Sequence, residues 1–453
     1  MATTTRNDQG AGGSAARDEL AAVTPGLAKE VRGPIGKYRW TICALLLFAT
    51  SINYLDRQVT GVLGPTLQAE FGWSETQYAN ITSWWTAAYA IGFLFMGRFI
   101  DRVGVRIGFA VAVVVWSLAS AGHALAATVI GFGIARFILG LGESGNFPAA
   151  IKATAEWFPK HERGFATGIF NSGSNIGAMG AAILIPWITA QWGWRPAMVI
   201  TGAIGFVWLA WWLPAYRSPS EHPRLSPGEL AYIRDGQAEE PISKVSWLSL
   251  LGYRQTWTFI VGKFMTDGVW WFYTFWLPKF LDTQFGVKLG KLALPLIVVY
   301  LVADVGSIYG GWLSGSFIKR GWEVHRARKV TLLIAALLIV PTALAPVANS
   351  LWVAVAIVSL AAAAHQWWSA NLFTLSSDMF PRHAVGSVVG LGGFAGAAGG
   401  FLFQRITGVV LESNGSNYQP VFLFCGIAYI TALAIIHVLA PRMQRVDLSA
   451  GRA

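Results

Sequence analysis

The stretch SINYLDRQ, residues 51–58, sets an aspartate beside an arginine within an apolar run that begins near Trp40. The run is long enough to cross a bilayer, which takes about 20 mostly apolar residues. Asp56 and Arg57 are therefore predicted to lie at membrane depth, where charges usually face a wet cavity or a partner. We expect one group that takes a proton and one that holds an anion. A self-neutralising structural pair is the alternative.

The composition of the whole chain is that of a polytopic membrane protein. Of its 453 residues, 54% are hydrophobic and 13% are charged, against about 25% charged in an average soluble domain. The net charge of +11 does not indicate a nucleic-acid partner, because the basic residues sit in short loops between apolar runs. Cys43 and Cys425 lie in apolar runs, so neither a disulfide framework nor a metal site is predicted.

The pattern of apolar runs predicts an all-α membrane protein with twelve transmembrane helices in the lipid bilayer, since open sheets cannot survive in lipid. The predicted domains are a polar N-terminal tail (1–36), a six-helix bundle (37–216), a linker (217–254), a second six-helix bundle (255–440) and a C-terminal tail (441–453). The predicted spans are 39–67, 76–100, 105–125, 127–157, 162–189, 194–216, 255–284, 291–318, 328–347, 350–379, 384–411 and 418–440.

The loops between these spans alternate in charge. By the positive-inside rule the basic loops are cytoplasmic, which predicts an inner-membrane protein with both termini in the cytoplasm. The N-terminal tail lacks an apolar segment after a basic start, so it is not read as a signal peptide. The basic loops contain Arg102, Arg106, Lys160, Arg163, Arg217, Arg224, Arg234, Lys244, Lys319, Arg320, Arg326, Arg328, Lys329 and Arg382.

The two halves of the chain resemble each other. EWFP at 156–159 matches DMFP at 378–381, an offset of 222 residues from 156 to 378. The same offset brings Gly168 onto Gly390. Many secondary transporters are built from duplicated six-helix units with the substrate site between them, so the repeat predicts two pseudo-symmetric bundles.

The loop between spans 2 and 3 reads GRFIDRVGVR, residues 97–106. It resembles the signature loop of the major facilitator superfamily, Gly-x-x-x-Asp-Arg-x-Gly-x-Arg, and implies the major facilitator fold. Asp101 is expected to cap a helix N-terminus or pair with an arginine, forming a latch between the halves in one conformational state. The second half lacks this aspartate, so any latch there must differ. The predicted latch residues are Gly97, Asp101, Arg102, Gly104 and Arg106.

Further stretches resemble the anion:cation symporter family, which carries sugar acids and other organic anions with protons or sodium. These stretches are NYLDR at 53–57, GESGNFP at 142–148 and EWFP at 156–159. Within that family, a second set is similar to the hexuronate transporters. It consists of WWFY at 270–273, WLPK at 276–279, SANLF at 369–373, SDMFP at 377–381 and AVGSV at 384–388.

This resemblance implies roles for five residues. Arg57 would bind the substrate carboxylate, which its guanidinium can hold in a bidentate fork. Tyr54 and Tyr89 would donate hydrogen bonds to the substrate. Asp56 and Glu143 would carry the protons. Binding of an anion to Arg57 would weaken its pull on Asp56, which would then take up a proton.

For other polar residues two interpretations stay open. Glu143 follows Arg136 by two helical turns, so a static pair is the alternative to a proton site. Asn171, Ser174 and Asn175 would bind sugar hydroxyls, or they would form hydrogen bonds between helices.

Lys263 and Asp267 are spaced as an i, i+4 pair. Lys263 is a candidate second cation for substrate, unless Asp267 only neutralises it. Trp271 would stack on a sugar ring, although aromatic packing is the alternative. Gln366 and Asn371 are candidate cavity residues because polar side chains are dense in their helix. No role is assigned to Arg136, Asp304, His365 and Arg405.

Other classes of protein fit the sequence less well. There is no Gly-x-x-x-x-Gly-Lys-Ser/Thr phosphate loop, which argues against an ATP-driven pump. No nucleophile–base or metal-ligand set is recognisable, so no enzyme activity, metal or cofactor is predicted. We expect a monomeric secondary transporter that imports hexuronate, galacturonate or glucuronate, with protons by alternating access. The alternatives are a symporter of galactonate, glucarate, tartrate or another organic anion, sodium coupling, or an uncoupled anion facilitator.

Overall fold

The computed structural model describes residues 35–73, 75–234, 249–287 and 293–447. Almost all of the predicted N-terminal tail, the middle of the predicted linker and the end of the C-terminal tail lie outside these ranges. Fourteen α-helices occur in the described residues. They are α1 (Tyr38–Phe71), α2 (Glu75–Val103), α3 (Val105–Gly122), α4 (Val129–Glu143), α5 (Asn146–Trp157), α6 (Lys160–Trp192), α7 (Trp194–Ala215), α8 (Pro227–Arg234), α9 (Arg254–Phe285), α10 (Ala293–Lys319), α11 (Val324–Ile339), α12 (Leu351–Met379), α13 (Arg382–Ser413) and α14 (Gln419–Leu439).

These helices form the twelve predicted spans. The consecutive helices α4 and α5 together make the fourth span, and the short helix α8 lies in the linker. Among the described residues, eight helical segments are long and apolar enough to cross a membrane by length and composition alone: those that contain α3, α6, α7, α10, α11, α12, α13 and α14. The other four spans are either broken, as α4 and α5 are, or carry charged residues within the helix. Asp56 and Arg57 belong to α1, and Lys263 and Asp267 belong to α9.

The fourth span was predicted as one helix over 127–157 and is instead interrupted between Glu143 and Asn146. Pro148 lacks an N–H group, so it cannot donate to the carbonyl of Ser144 four residues earlier. Gly145 lies where a Cβ atom would come within 2.8 Å of Met96 and Ala112. The break therefore lets α2 and α3 approach the end of α4 closely.

The ends of the helices that carry the predicted basic loops meet on one side of the molecule, which we call the basic side. Arg39 at the start of α1 binds Glu162 at the start of α6, with 2.8 Å between Nε and Oε2. Arg328 at the start of α11 donates to the carbonyl of Lys160. The backbone N–H of Val446 donates to Met379, so both ends of the described chain lie on this side.

Each bundle packs its helices around an apolar core and exposes apolar side chains outward. In the first bundle α1 packs on α6, α2 on α4, and α3 on α7; in the second, α10 packs on α12 and α9 on α13. Large side chains such as Phe95, Ile130 and Val305 are more than 60% exposed. A surface of this kind suits contact with lipid chains.

The most extensive contacts between the bundles are made by two helix pairs, α2 with α13 and α6 with α10. Both contacts are made by backbone against backbone at glycine. A Cβ atom on Gly97 would lie 2.2 Å from the carbonyl oxygen of Gly386, and one on Gly311 would lie 2.0 Å from that of Gly164. The internal repeat relates the two contacts, because α6 and α13 correspond, and α2 and α10 correspond.

Candidate functional site

A confined cavity lies between the bundles at the middle of the molecule. It is lined by side chains of α1, α2, α5 and α6 from one bundle and of α9, α12 and α13 from the other. Eight of the ten predicted substrate-binding residues line it. The lining residues are Tyr54, Arg57, Tyr89, Phe93, Phe147, Asn171, Ser174, Lys263, Asp267, Trp270, Trp271, His365, Gln366, Ser369, Phe373, Gly393 and Ala397.

Arg57 sits in a cage of three aromatic rings. Its guanidinium carbon lies 4.2 Å from the ring centre of Tyr54 and 4.6 Å from those of Trp85 and Tyr89. Nη2 donates to Oδ1 of Asn53, one helical turn earlier, at 2.9 Å. The cage holds the guanidinium by cation–π attraction and leaves it facing the cavity.

Glu143 is the ionic partner of Arg57. Arg57 Nε donates to Glu143 Oε2 at 3.1 Å, and Trp85 Nε1 donates to the same oxygen at 2.9 Å. The other oxygen, Oε1, is buried and has no hydrogen-bond partner among the described residues. Arg136, two turns earlier, donates to the backbone carbonyl of Arg57. Glu143 therefore sits at the junction of α1, α2 and α4.

Asp56 faces away from the cavity although it precedes Arg57. Successive residues of an α-helix point about 100° apart, since one turn takes 3.6 residues. Asp56 is buried between helices, and Ser120 of α3 donates its hydroxyl to Oδ1 at 2.8 Å. The interaction of Arg57 with Asp56 that we inferred from their adjacency is thus replaced, in this structure, by the interaction of Arg57 with Glu143.

The second bundle contributes its own ion pair to the cavity wall. Lys263 Nζ lies 2.7 Å from Asp267 Oδ2 and 4.3 Å from the ring centre of Phe373. Phe373 stacks on Phe147 of the first bundle with 5.0 Å between ring centres. Because Phe147 and Phe373 belong to different bundles, their stack closes the cavity between the bundles beside Lys263.

A polar contact crosses the cavity between the bundles. Asn171 of α6 donates to Oε1 of Gln366 in α12 at 2.8 Å and to the hydroxyl of Ser307 in α10 at 3.2 Å. Ser174 lines the cavity and donates to the carbonyl of Asn171. These groups offer donors and acceptors to a polyhydroxylated molecule, and they also join helices.

Two predicted cavity residues lie outside the cavity lining. Asn175 donates to Oδ1 of Asp304 in α10 at 2.7 Å. The amide nitrogen of Asn371 donates to the carbonyls of Gly310 and Trp367, each at 3.0 Å. Both amides serve contacts between helices in this conformation.

His365, which had no predicted role, and Trp85, which was not singled out, contribute to the site. His365 lines the cavity, stacks on Trp270 with ring centres 4.9 Å apart, and its Nδ1 lies 2.5 Å from the hydroxyl oxygen of Tyr429. Trp85 was missed, although its spacing of four residues from Tyr89 puts both rings on one face of α2. The two rings stack with 4.7 Å between centres.

Residues 97–106 were predicted as a loop, but they form the end of α2, Gly104 and the start of α3, and they join the bundles on the basic side. The backbone N–H groups of Gly386 and Ser387, in the first turns of α13, donate to Asp101 at 3.1 and 2.6 Å. Lys152 of α5 donates to the same carboxylate at 2.9 Å. Asp101 thus binds a helix N-terminus across the bundle interface and has a lysine as its ionic partner.

The remaining predicted latch residues lie at the junction of α2 and α3. Gly104 has φ +83°, a conformation that glycine adopts without strain. Arg106 donates to the carbonyl of Leu213 within the first bundle. Arg102 is exposed.

The corresponding place in the second half, where the equivalent aspartate is absent, has different contacts. Asp378, at the end of α12, accepts a hydrogen bond from Arg328 Nε at 2.9 Å, and Arg163 of the first bundle lies 3.6 Å from it. Arg163 also donates to the carbonyl of Ser377 at 2.7 Å. An arginine from each bundle therefore meets one carboxylate on the basic side.

Comparison with known proteins agrees with this architecture. A family model described as the Major Facilitator Superfamily matches residues 46–404. The chain is 31% identical over 416 residues to the hexuronate transporter of Escherichia coli strain K12, covering 91% of this chain and 96% of that protein. It is 33% identical over 330 residues to the galacturonate transporter of Dickeya chrysanthemi, covering 72% of this chain and 95% of that protein.

The fold is also that of a solved transporter. The crystal structure of the E. coli fucose:proton symporter covers 90% of this chain and all of its own length, with a TM-score of 0.67 and 18% identity. The resemblance inferred from residues 97–106 is confirmed by the family match. The chain belongs to the major facilitator superfamily, and it is a membrane transporter, not an enzyme.

Proposed function

We propose that this protein imports a hexuronate, galacturonate or glucuronate, together with protons by alternating access. The observation that carries the proposal is the Arg57–Glu143 pair in an aromatic cage at the cavity wall. The relatives named as hexuronate and galacturonate transporters support the same substrate class. The protein would act as a monomer in an inner membrane, with the basic side and both termini in the cytoplasm.

In the proposed mechanism the substrate carboxylate competes with Glu143 for Arg57. A guanidinium binds one carboxylate in a bidentate fork, so an incoming anion displaces the single Nε contact that Glu143 makes. Glu143 would then be a buried carboxylate without its cation. A buried unpaired charge is strongly unfavourable, so Glu143 takes up a proton when substrate binds.

Asp56 would be a second proton site. It is a carboxylate at membrane depth, and the group that donates to it, the hydroxyl of Ser120, is neutral. It lies behind Arg57 and does not touch the cavity. We propose that it responds to movement of α1 against α3 and makes no contact with the substrate. Tyr54, Tyr89, Asn171, Ser174, Lys263, Trp271 and Gln366 would form the rest of the binding site.

Alternating access would require the two glycine contacts, α2 with α13 and α6 with α10, to separate. In this structure they are closed on the basic side. Substrate would therefore reach the cavity from the opposite side. The rigid units would be the predicted bundles, residues 37–216 and 255–440, joined by the linker 217–254.

A second candidate substrate is a diacid such as glucarate. Lys263 gives the cavity a second cation on the wall opposite Arg57, and like Arg57 it is held by one carboxylate, Asp267. Two cations in one cavity suit a molecule with a carboxylate at each end. A hexuronate would use Lys263 only for hydroxyl or carbonyl oxygens.

The test is uptake of labelled galacturonate into proteoliposomes without sodium, with and without acid outside. Glucuronate, galactonate and glucarate serve as competitors, and protein-free liposomes serve as the blank. Accumulation above equilibrium only with the proton gradient would support the proposal. Equilibration that ignores the gradient would indicate an uncoupled facilitator, and competition by glucarate alone would favour the diacid.

A further inference from the structure

A second cavity, of about 340 Å³, opens on the basic side at the junction of the two bundles. The first bundle lines it with the starts of α1 and α6, and the second lines it with the end of α10. It is separate from the central cavity and shares no lining residue with it. We call it the lateral slot. It is lined chiefly by Trp40, His161, Phe165, Trp312, Ser316 and Lys319.

The walls of the lateral slot are mainly aromatic. Trp40 meets Phe165 edge-on with 5.5 Å between ring centres. Trp312 lies on the other wall and is 47% exposed, which opens the slot toward the lipid-facing surface. Tryptophan is favoured at the membrane–water interface, where the glycerol region and the first carbons of a phospholipid lie. The walls thus suit the upper part of an acyl chain.

The rim of the lateral slot is positively charged. Lys319 ends α10 and Arg320 follows it, and both are exposed. Within the described ranges no carboxylate oxygen lies within 4 Å of Lys319 Nζ. The acidic residue of the slot, Glu162, is held away from Lys319 by other partners: Arg39 Nε binds it at 2.8 Å and Tyr232 donates its hydroxyl at 2.7 Å, while Arg39 also binds Glu229 at 3.1 Å. Lys319 and Arg320 are therefore the cations at the rim that suit an anion at the level of Lys319.

We propose that the lateral slot binds an anionic phospholipid, with its phosphate at Lys319 and its upper acyl chain against Trp40, Phe165 and Trp312. Basic pockets between transmembrane helices are sites of this chemistry. The slot exists because α6 and α10 touch at Gly164 and Gly311. A lipid bound to both helices would stabilise this contact, and so would favour the state that is closed on the basic side.

Binding is tested on the purified full-length protein in detergent by native mass spectrometry and by thermal unfolding. The probes are phosphatidylglycerol, phosphatidylcholine and inorganic phosphate. Lys319→Gln removes the slot cation. Arg326→Gln is the matched control, because Arg326 is an exposed cation on the same side. We expect phosphatidylglycerol to be retained and stabilising, with at least a fivefold weaker apparent affinity in K319Q and no change in R326Q.

Three outcomes would overturn the proposal. They are equal binding of phosphatidylcholine, equal weakening in both variants, or stabilisation by inorganic phosphate to the same extent as by the lipid. If K319Q does not fold, Ser316→Trp provides the second test, since a large ring at Ser316 fills the slot without removing a charge. S316W should lose the bound lipid; retention of the lipid would contradict the assignment.

The effect on conformation has its own readout. Ser377 is buried on the basic side, where Arg163 crosses to its carbonyl, so a cysteine at this position reports opening of that side to a maleimide. Both native cysteines, Cys43 and Cys425, are buried. We expect phosphatidylglycerol to slow labelling of S377C several-fold, and to have no such effect when K319Q is added. Labelling that is unchanged with lipid bound would refute the stabilising role. None of these measurements uses a transport substrate.

Discussion

Arg57 and Glu143 bind each other across 3.1 Å at the wall of the central cavity, one from α1 and one from the end of α4. Each also has neutral partners, since Asn53 holds the guanidinium and Trp85 donates to the carboxylate. Exchange of this pair for a pair of Arg57 with a substrate carboxylate would link anion binding to proton uptake. Substitutions of these residues can therefore distinguish anion binding from proton uptake.

Replacement of Arg57 by lysine keeps the charge and removes the planar fork. A hydrogen bond to a charged group contributes about 1.5–3 kcal/mol, so galacturonate affinity should fall about ten- to a hundred-fold. The measurement is a binding titration that follows tryptophan fluorescence, with Trp85 in the site. Arg326→Lys is the control, because Arg326 is exposed and does not line the central cavity. Full affinity in R57K would exclude Arg57 as the carboxylate ligand.

Replacement of Glu143 by glutamine should separate transport from coupling. The amide oxygen can still accept from Trp85 but cannot exchange a proton near neutral pH. We expect counterflow of labelled galacturonate to continue, while accumulation driven by a proton gradient is lost. Accumulation at the wild-type level in E143Q would mean that Glu143 is a structural partner of Arg57 only.

Asp56→Asn should also abolish proton coupling while substrate binding continues, although Asp56 makes different contacts from Glu143. The amide oxygen of the new side chain can still accept a hydrogen bond from Ser120, so folding should be preserved, which thermal unfolding in detergent checks. Gradient-driven accumulation should be abolished and substrate binding should change less than threefold, because Asp56 does not line the cavity. A loss of binding as large as in R57K would show that Asp56 contacts the substrate in the working protein, which contradicts its position behind the site.

Replacement of Lys263 by glutamine tests the choice between hexuronate and diacid. If the substrate is a hexuronate, Arg57 holds its only carboxylate, and K263Q should weaken galacturonate only a few-fold. If glucarate is the substrate, the loss should reach about tenfold or more, since a charge-assisted contact is removed. Competition assays with both anions on the same preparation decide between them.

The glycine contacts predict a conformational phenotype. Gly311→Ala places a methyl group 2.0 Å from the carbonyl oxygen of Gly164, so the basic side cannot close as it does here. We expect a cysteine at Ser377 to be labelled several-fold faster in G311A. Gly408→Ala is the matched control, because a Cβ atom there meets nothing within 4 Å. Equal labelling in the two variants would show that the contact is not required for closure.

Much of this architecture follows from sequence because the bilayer restricts the choices. Apolar runs of sufficient length must be helices, and charges within them must face a cavity or a partner. This reasoning predicted that Arg57, Lys263 and Gln366 face a cavity, and the structure places all three in the lining of the central cavity. For Asp101 it offered two partners, a helix N-terminus or an arginine, and the structure shows the first together with Lys152 as the ionic partner.

The same reasoning could not predict which groups from different helices pair with each other. Adjacency suggested Asp56 as the partner of Arg57, whereas the end of α4 brings Glu143 to it. Gln366 and Asn371 share one polar stretch, but five residues rotate the helix by about 140° relative to the starting face. Only one of the two can then face the cavity directly, and sequence offered no means of choosing it.

The two glycine contacts on the basic side bring backbone against backbone, and this has an energetic consequence. Glycine surfaces carry no side chains that must change rotamer or leave a pocket when the bundles part. Separation of these helices then disturbs little apolar packing. A few polar and charged groups therefore determine the barrier and the free-energy difference between the closed and the open state. Asp101, which binds the start of α13, and Arg163, which lies beside Asp378, are such groups. Single substitutions of these residues should therefore change which conformation of the transporter is most populated, while each bundle stays folded.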